Sequence, residues 1–281
     1  MAQSPDWAQH SQEAERAFVD AIHAGDRGQK AEEEKQLAKA DNEAQKVLAE
    51  AARYNGKTPP PIPEPAVAPG LNALTNGLMG LTGVKLHPKL VSTADELNTY
   101  PCNLCLIADF YKRLKRNEKA DLFYRKSFEL ASGSTDVQSK YMLADMILRN
   151  YVLFLEDTGK SKQAETLEPK LVKLYTELNM NGMPDLDRMF EDKATKLEEQ
   201  GKFKEAETYW KYRVDICKGG ASAKILQETK QENRNRGGGI AYPIEIQKLE
   251  DLARFYNRRG DYSKGTETKR EADTLRQAVM P

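Results

Sequence analysis

The sequence has no excess of either charge, because 43 Lys and Arg residues balance 43 Asp and Glu residues. Without a net field, a chain does not attract nucleic acid or an anionic membrane through its overall charge. The longest apolar stretch, YMLADMILRNYVLFL, is interrupted by Asp145, Arg149 and Asn150. It falls short of the roughly 20 apolar residues that a membrane-spanning helix needs. We therefore expect no nucleic-acid partner and no membrane span.

Cysteine and histidine are scarce, with three residues of each. Three cysteines argue against a disulfide scaffold. The CNLC motif places Cys102 and Cys105 on one face of a helix, but it lacks the further ligands of a zinc site and the histidine of a haem attachment motif. The histidines His10, His23 and His87 are expected to share no face with a Ser, Cys or carboxylate partner. Cys217 is expected to be a core residue.

These absences favour a protein that is not an enzyme and has no cofactor and no metal site. No catalytic constellation and no phosphate-cradling glycine loop is present in the sequence. A thiol redox or assembly helper that uses Cys102 and Cys105 is the alternative. Thiol titration would separate the two, since a redox pair needs a lowered pKa.

The N-terminal segment MAQSPDWAQHSQEAER lacks a basic stretch followed by an apolar core, so it does not read as a signal peptide. A cytoplasmic protein is the default expectation. An exported protein with a trimmed signal peptide remains the alternative, because AQS after a starting Met is compatible with a cleavage scar.

Three regions are distinguished by composition. Residues 1–55 have apolar residues at helical intervals and predict two helices broken near HAGDRG. Residues 56–92 begin with GKTPPPIPEPAVAPG, whose proline density favours a semi-rigid spacer, or else a ligand for a proline-recognising groove. Residues 93–281 are helical by pattern, with one glycine-rich loop in which Arg234 and Arg236 could hold an anion. No stretch shows the period-two alternation of a strand, so the predicted class is all-α.

Four related segments recur in the third region. They are LCLIADFYKRLKRNEKADLFYRKS, LRNYVLFLEDTGKSKQAETLEPKL, FEDKATKLEEQGKFKEAETYWKYR and LEDLARFYNRRGDYSKGTETKREA. Each predicts a helix, a tight break and a second helix, with first helices near 100–115, 143–159, 185–200 and 243–259. One hairpin cannot bury its own apolar face, so such recurrence indicates a solenoid.

The recurring positions have physical roles. Gly159, Gly201 and Gly260 are expected to end the first helices in a left-handed conformation, with Asn117 in the glycine's place in the first copy. Small residues are expected where the two helices cross: Ala108, Ala194 and Ala253 on the first helices, facing Ala120, Ala206 and Gly265 on the second. Larger side chains are expected to fill the spaces between helices and repeats: Tyr111, Tyr124, Leu155, Leu197, Phe203, Trp210, Tyr256 and Tyr262.

This pattern of Leu, small residue, Tyr, Gly, aromatic, Glu-Ala and aromatic resembles the tetratricopeptide repeat family over about 100–279. The spacing of 42 to 44 residues between the first three copies exceeds the usual length of about 34. It is similar to the longer repeats of kinesin light chains. The resemblance implies a right-handed α-α superhelix preceded by an N-terminal helical hairpin and the proline-rich linker, with residues 1–55 as a candidate degenerate repeat.

The resemblance also implies a non-catalytic scaffold that binds a peptide or protein surface along the first helices. The implied groove residues are Asp109, Lys112, Arg113, Arg149, Asn150, Leu153, Glu156, Arg188, Glu191, Thr195, Glu198, Glu250, Arg254, Asn257 and Arg258. Matching positions also include Cys102, Cys105, Met146, Asp157, Glu199 and Gln247. The basic and amide set that clamps a peptide carboxylate in chaperone-binding members is not reproduced, so we expect no chaperone-tail partner. Because the implied surface alternates between basic and acidic residues, we expect an extended peptide of mixed charge.

Overall fold

The computed structural model describes residues 6–54, 100–133, 137–178, 180, 184–218 and 244–279. Within these ranges all regular structure is helical and no strand occurs, which confirms the all-α class for the described part of the chain. None of the described helices is both long and apolar enough to cross a membrane. The predicted proline-rich spacer and the glycine-rich loop with Arg234 and Arg236 lie outside the described residues.

Eleven α-helices are described, and one of them continues from another through a π-helical segment. Their bounds are α1 (Asp6–Asp26), α2 (Lys30–Tyr54), α3 (Tyr100–Arg113), α4 (Asn117–Ala131), α5 (Val137–Met142), the π segment (Leu143–Leu148), α6 (Arg149–Asp157), α7 (Ser161–Glu177), α8 (Pro184–Glu199), α9 (Phe203–Asp215), α10 (Ile244–Arg258) and α11 (Tyr262–Val279).

The chain divides into two compact units, Met1–Ala164 and Glu165–Pro281. In the first unit, aromatic side chains on successive helices form the core. The ring of Phe18 on α1 stacks on Phe110 at 5.2 Å between centroids, and Tyr124 on α4 lies 5.0 Å from Phe154 on α6. Such pairs add to the large area that each ring buries, so they fix which helices are neighbours.

The second unit has a core of the same kind. Phe190 on α8 lies 5.4 Å from Tyr212 on α9, and Trp210 on α9 lies 6.2 Å from Phe255 on α10. Trp210 is only 6% exposed. The ring therefore joins the α8–α9 hairpin to the α10–α11 hairpin, as the sequence pattern predicted.

One joint recurs between paired helices. Gly159, Gly201 and Gly260 have φ of 75°, 72° and 76°, which confirms the predicted left-handed conformation. At each joint the N–H of this residue donates to the carbonyl three positions earlier, and the next N–H donates to the carbonyl five positions before itself. These are the two bonds of a Schellman motif, which satisfies the last carbonyl groups of the preceding helix.

Two further joints have the same hydrogen bonds, and one of them corrects the sequence alignment. Lys115, with φ of 58°, holds the left-handed position between α3 and α4, whereas Asn117 is already the first residue of α4. Gly28, with φ of 71°, closes α1 before α2. The α1–α2 hairpin therefore ends its first helix as the other hairpins do.

At two of the joints the paired helices approach so closely that one of the two facing residues is a glycine. A Cβ added to Gly265 would collide with the Asn257 amide, and a Cβ added to Gly25 would lie 3.1 Å from the carboxylate carbon of Glu33. Both pairs occupy the same two positions relative to the joint, but the small residue is on the second helix in one and on the first helix in the other. The predicted small residues on both helices of the later hairpins are buried: Ala108, Ala120, Ala194, Ala206, Ala253 and Gly265.

Two predicted packing residues are not in the core. Tyr262 is 69% exposed and Phe203 is 37% exposed. Each is the first residue of a second helix, directly after the joint, where the chain still faces solvent. The guanidinium of Arg259 covers the Phe203 ring at 4.3 Å. The prediction that these two rings fill the space between repeats was wrong.

The helix from Val137 to Asp157 contains the π segment. At its end the Arg149 N–H donates to the Ala144 carbonyl, five residues back. A π turn leaves neighbouring carbonyls without their normal helical donors. Here the Arg149 Nε donates to the Asp145 carbonyl at 2.7 Å and the Cys105 thiol donates to the Met146 carbonyl at 3.7 Å. Side chains from its own helix and from α3 thus support the wide turn.

Candidate functional site

The predicted groove residues of the first unit lie along the seam between α3 and α6. Asn150 donates to Asp109 at 3.3 Å, and Tyr124 from α4 also donates to Asp109. Further along, Lys112 bonds to Asp157 at 2.7 Å. These side chains therefore join the two helices to each other.

The surroundings of Asp109 shift the pKa of its carboxyl upward. Burial raises the pKa of its carboxyl above the ordinary value, and the opposing hydrogen bonds from Tyr124 and Asn150 with the nearby Lys112 charge do not fully offset this. Burial, together with the nearby Asp109 carboxyl, raises the pKa of Tyr124. The Asp109 group is thus a polar contact within the helix seam.

Cys102 and Cys105 do not lie on an exposed inner face, because both thiols are fully buried. Burial, with Asp109 nearby, raises the pKa of Cys105 well above its ordinary value. A redox pair needs an accessible thiolate. This geometry therefore does not favour the thiol alternative. Cys217 is buried as well, as its core assignment predicted.

The other predicted residues of this unit differ in exposure. Arg113 is exposed, Leu153 is half-buried, and Glu156 accepts a hydrogen bond from Ser161 at 3.0 Å. Arg149 is occupied at the Asp145 carbonyl. Arg113 is thus the cation of this set that faces solvent.

In the second unit the predicted residues of α8 divide into two sets. Arg188 and Thr195 are exposed. Glu198 accepts from Trp210 Nε1 at 2.7 Å and from Arg258 on α10 at 3.0 Å. It therefore bridges the two hairpins while it also satisfies the buried indole.

On α10, Arg254, Asn257 and Arg258 are exposed. Arg254 pairs with Asp251 on its own helix, and Glu250 pairs with Lys269 on α11 at 3.0 Å. Glu250 thus belongs to the α10–α11 contact. Arg254 and Arg258 are the cations of α10 that a partner could reach.

Glu191, the remaining predicted residue, belongs to a charged cluster around Arg213. This guanidinium is only 2% exposed and lies 2.8 Å from both Asp187 and Glu191 of α8 and 3.5 Å from Asp251 of α10. Lys248 of α10 lies 2.6 Å from Asp187. Burial alone would raise the pKa of Asp187, but Arg213 and Lys248 hold it below its ordinary value.

A second recurring bridge was not predicted from the sequence. Asp41 on α2 accepts from Tyr111 at 2.8 Å and pairs with Lys119 at 2.7 Å. Glu207 on α9 accepts from Tyr256 at 2.9 Å and lies 3.4 Å from Lys264. In both cases one hairpin supplies the acid, and the next supplies a tyrosine four positions before its joint and a lysine four positions after it.

Two variants of the bridge occur elsewhere. Asp121 on α4 accepts from Tyr151 at 3.3 Å and pairs with Lys160 at 3.2 Å. Within the second unit, Glu168 on α7 accepts from Tyr209 at 3.0 Å and pairs with Lys193 at 2.5 Å. Glu168 is only 1% exposed, so these contacts satisfy a carboxylate that is enclosed by the fold.

Two of the bridging acids, Asp41 and Glu207, have a pKa below the ordinary value of a carboxyl. Partial burial would raise the pKa of Glu207, but Lys211, Tyr256 and Lys264 together lower it to about 2. Burial, together with the acid, raises the pKa of Tyr111, Tyr151 and Tyr256, to about 12 for Tyr151. At neutral pH the tyrosine therefore donates and the carboxylate accepts.

Glu245 behaves differently. It lies at the start of α10, is 7% exposed, and has a pKa raised by burial from 4.5 to about 7. Lys218 opposes the shift and Glu271 adds to it. This carboxyl therefore titrates near neutral pH inside the second unit.

One group of potential metal ligands occurs within the described residues, and it involves a histidine that was expected to have no carboxylate partner. His10 Nδ1 lies 2.7 Å from Glu43 Oε2, and one ligand atom from each of His10, Glu13 and Glu43 lies within 4.8 Å of the others. His10 and Glu13 are three residues apart on α1, which was visible in the sequence. Glu43 reaches them only because α2 folds back on α1.

The sequence matches no protein-family model, and it matches no curated protein. The functional interpretation therefore depends on the helices, joints and side chains described above.

Proposed function

We propose that the chain is a non-catalytic protein-interaction scaffold of stacked helical hairpins, of the kind that the tetratricopeptide resemblance implies. In this proposal the hairpins form a right-handed superhelix, and exposed side chains of the first helices bind a peptide or a protein surface. The recurrence of one Schellman joint at Gly28, Lys115, Gly159, Gly201 and Gly260 carries the proposal.

The acid, tyrosine and lysine bridges support the same proposal. In each bridge the acid lies on a helix surface that would face water in an isolated hairpin. The tyrosine and the lysine that contact this acid come from helices that follow it in the chain. Polar contacts between successive hairpins specify which surfaces meet, whereas the buried rings supply most of the stabilisation. In the second unit the first helices α8 and α10 keep several exposed residues, whereas Arg113 is the exposed residue of α3.

The α8 and α10 helices of the second unit offer the best candidate surface. Its exposed residues are Arg188, Thr195, Arg254, Asn257 and Arg258. Two of its cations are already paired, Arg254 with Asp251 and Arg258 with Glu198. Exposed ion pairs contribute only about 0–1 kcal/mol, so a partner's carboxylates can replace them at little cost.

The occupant that fits is an extended peptide segment that carries carboxylates and hydrogen-bond donors together. Its carboxylates would pair with Arg254 and Arg258, and its donors would meet Glu198. Because an extended segment is ordered on binding, we expect affinity in the micromolar range.

Affinity capture from native lysate with mass spectrometry tests the proposal. The Arg254→Glu and Arg258→Glu double variant should lose a protein that the wild type retains. Arg270→Glu is the matched control, because Arg270 is an exposed cation on α11, a second helix. A captured protein that both variants retain would remove this surface from the binding site. Thiol titration of Cys102 and Cys105 tests the alternative, a thiol redox or assembly helper. A pair of low pKa that forms a disulfide with an oxidant would favour that alternative.

A further inference from the structure

The α1–α2 hairpin presents three metal-binding groups at one place. His10 is partly buried, Glu13 is half-buried and Glu43 is 5% exposed, and their ligand atoms lie within 4.8 Å of one another. His10 and Glu13 are on the same face of α1 because residues three apart on a helix are neighbours. Glu43 enters from α2.

We propose that His10, Glu13 and Glu43 form a binding site for a divalent transition-metal cation, best represented by Zn²⁺, that fastens α1 to α2. The proposal does not depend on the scaffold function, since it concerns a different face of a different unit.

The donor set suits this class of cation. One imidazole nitrogen and two carboxylate oxygens are ligands that Zn²⁺ takes at about 2.0–2.2 Å, and three protein ligands leave a fourth position for water. Hard cations such as Ca²⁺ prefer six or more oxygen ligands, which this cluster does not supply. The imidazole therefore favours a transition metal, and Zn²⁺ binds more tightly than Mn²⁺ at such sites.

The ligand atoms need only side-chain movement to reach a tetrahedral arrangement. Glu43 is fixed by burial, while His10 keeps 26% of its side chain exposed and can turn. Glu13 accepts a hydrogen bond from the exposed Gln9 amide at 3.0 Å, which a metal ion can replace. The buried acid would thus be the anchor, and the two α1 side chains would close on the ion.

Lys46 occupies part of the site without the ion. Its ammonium lies 2.7 Å from Glu43 Oε1, and Asn42 also donates to that oxygen at 3.2 Å. The Lys46 side chain is 45% exposed, so it can move into water when a cation arrives. The ammonium and the metal compete for the same carboxylate. Removing Lys46 should therefore tighten metal binding.

The test is a calorimetric titration of the full chain with Zn²⁺ as the only metal. Wild type should bind one equivalent through this site, and His10→Ala and Glu13→Gln should each weaken that binding at least tenfold. Lys46→Gln should strengthen it. His23→Ala is the matched control, because His23 lies on the same helix and is exposed, and it should leave the affinity unchanged.

Several results would overturn the assignment. They are the absence of saturable zinc binding, equal affinity in wild type and His10→Ala, and a Lys46→Gln variant that binds no more tightly than wild type. Circular dichroism of each variant establishes that it is folded, and Glu13→Gln removes the least buried carboxylate. As a second readout, bound Co²⁺ should show the intense visible absorption of four-coordination in wild type, and the absorption should be lost in His10→Ala.

Discussion

Replacement of Arg213 with methionine offers the sharpest test of how the two hairpins of the second unit are joined. Methionine preserves much of the apolar stem but removes the guanidinium. The change leaves Glu191 and Asp251 without this cation, while Lys248 still pairs with Asp187. The charge lost is one that the fold encloses almost completely, since Arg213 is 2% exposed.

The expected cost follows from burial. Breaking a buried ion pair by removal of one partner destabilises a protein by about 3–5 kcal/mol. Glu191 keeps 47% of its side chain exposed and can be hydrated, and Lys248 neutralises part of the remaining charge. We therefore expect about 3 kcal/mol, at the lower end of that range.

Arg258→Met is the matched control. Arg258 also connects α10 to α8, through Glu198, but 53% of its side chain is exposed. An exposed pair contributes about 0–1 kcal/mol, so the control should unfold close to wild type. Both residues are arginines that pair with acids of α8, so the difference between the two costs reports the burial of Arg213 together with its additional acidic partners.

Urea unfolding measures the effect. The chain has two tryptophans, Trp7 in the first unit and Trp210 in the second. In a Trp7→Phe background the indole fluorescence reports the second unit, and the midpoint and slope give the free energy of unfolding. A cost below about 1 kcal/mol for Arg213→Met, or a cost equal to that of Arg258→Met, would refute the buried-cluster argument.

Three further predictions concern single positions. Trp210→Ala should destabilise the second unit by about 3–5 kcal/mol in denaturant unfolding followed by circular dichroism, and an effect near zero would mean that the ring does not join the hairpins. Lys115→Gly should stabilise the first unit by about 0.5–1 kcal/mol, because glycine adopts the left-handed conformation without strain. Gly159→Ala should destabilise the same unit by a similar amount. A shift of the unfolding temperature in the same direction for both variants would contradict this. Glu245 has a folded-state pKa raised from 4.5 to about 7, so wild-type stability should fall as pH rises through that window, by at most about 3 kcal/mol. Glu245→Gln should remove this contribution in unfolding of the second unit at pH 4 to 8, followed by Trp210 fluorescence in the Trp7→Phe background, and an unchanged profile would exclude this carboxyl as its source.

The sequence predicted the joints where glycine was required. Gly159, Gly201 and Gly260 were identified because few other residues accept a positive φ. Lys115 was not found, since a lysine at this position carries no such signal, and the register was assigned to Asn117 instead. The hydrogen bonds of the joint, rather than the residue type, define the position.

The candidate surface was less predictable. Helical spacing indicates which residues share a face, but not what lies opposite them. Asp109 and Glu191 were placed correctly on first helices, yet they contact Tyr124 and Arg213 from other helices. The same limit applies to His10, whose partner Glu43 is 33 residues away.

The π segment has a consequence for length variation. A π turn holds one more residue than an α turn, so it absorbs an insertion without a loop. Deletion of one residue from 143–148 would return this stretch to α-helical geometry, so Val137–Met142 before it and Tyr151 and Phe154 after it would keep their orientation around the helix axis. This turn is therefore the point where that helix can gain or lose a residue and still present its C-terminal half to the core unchanged.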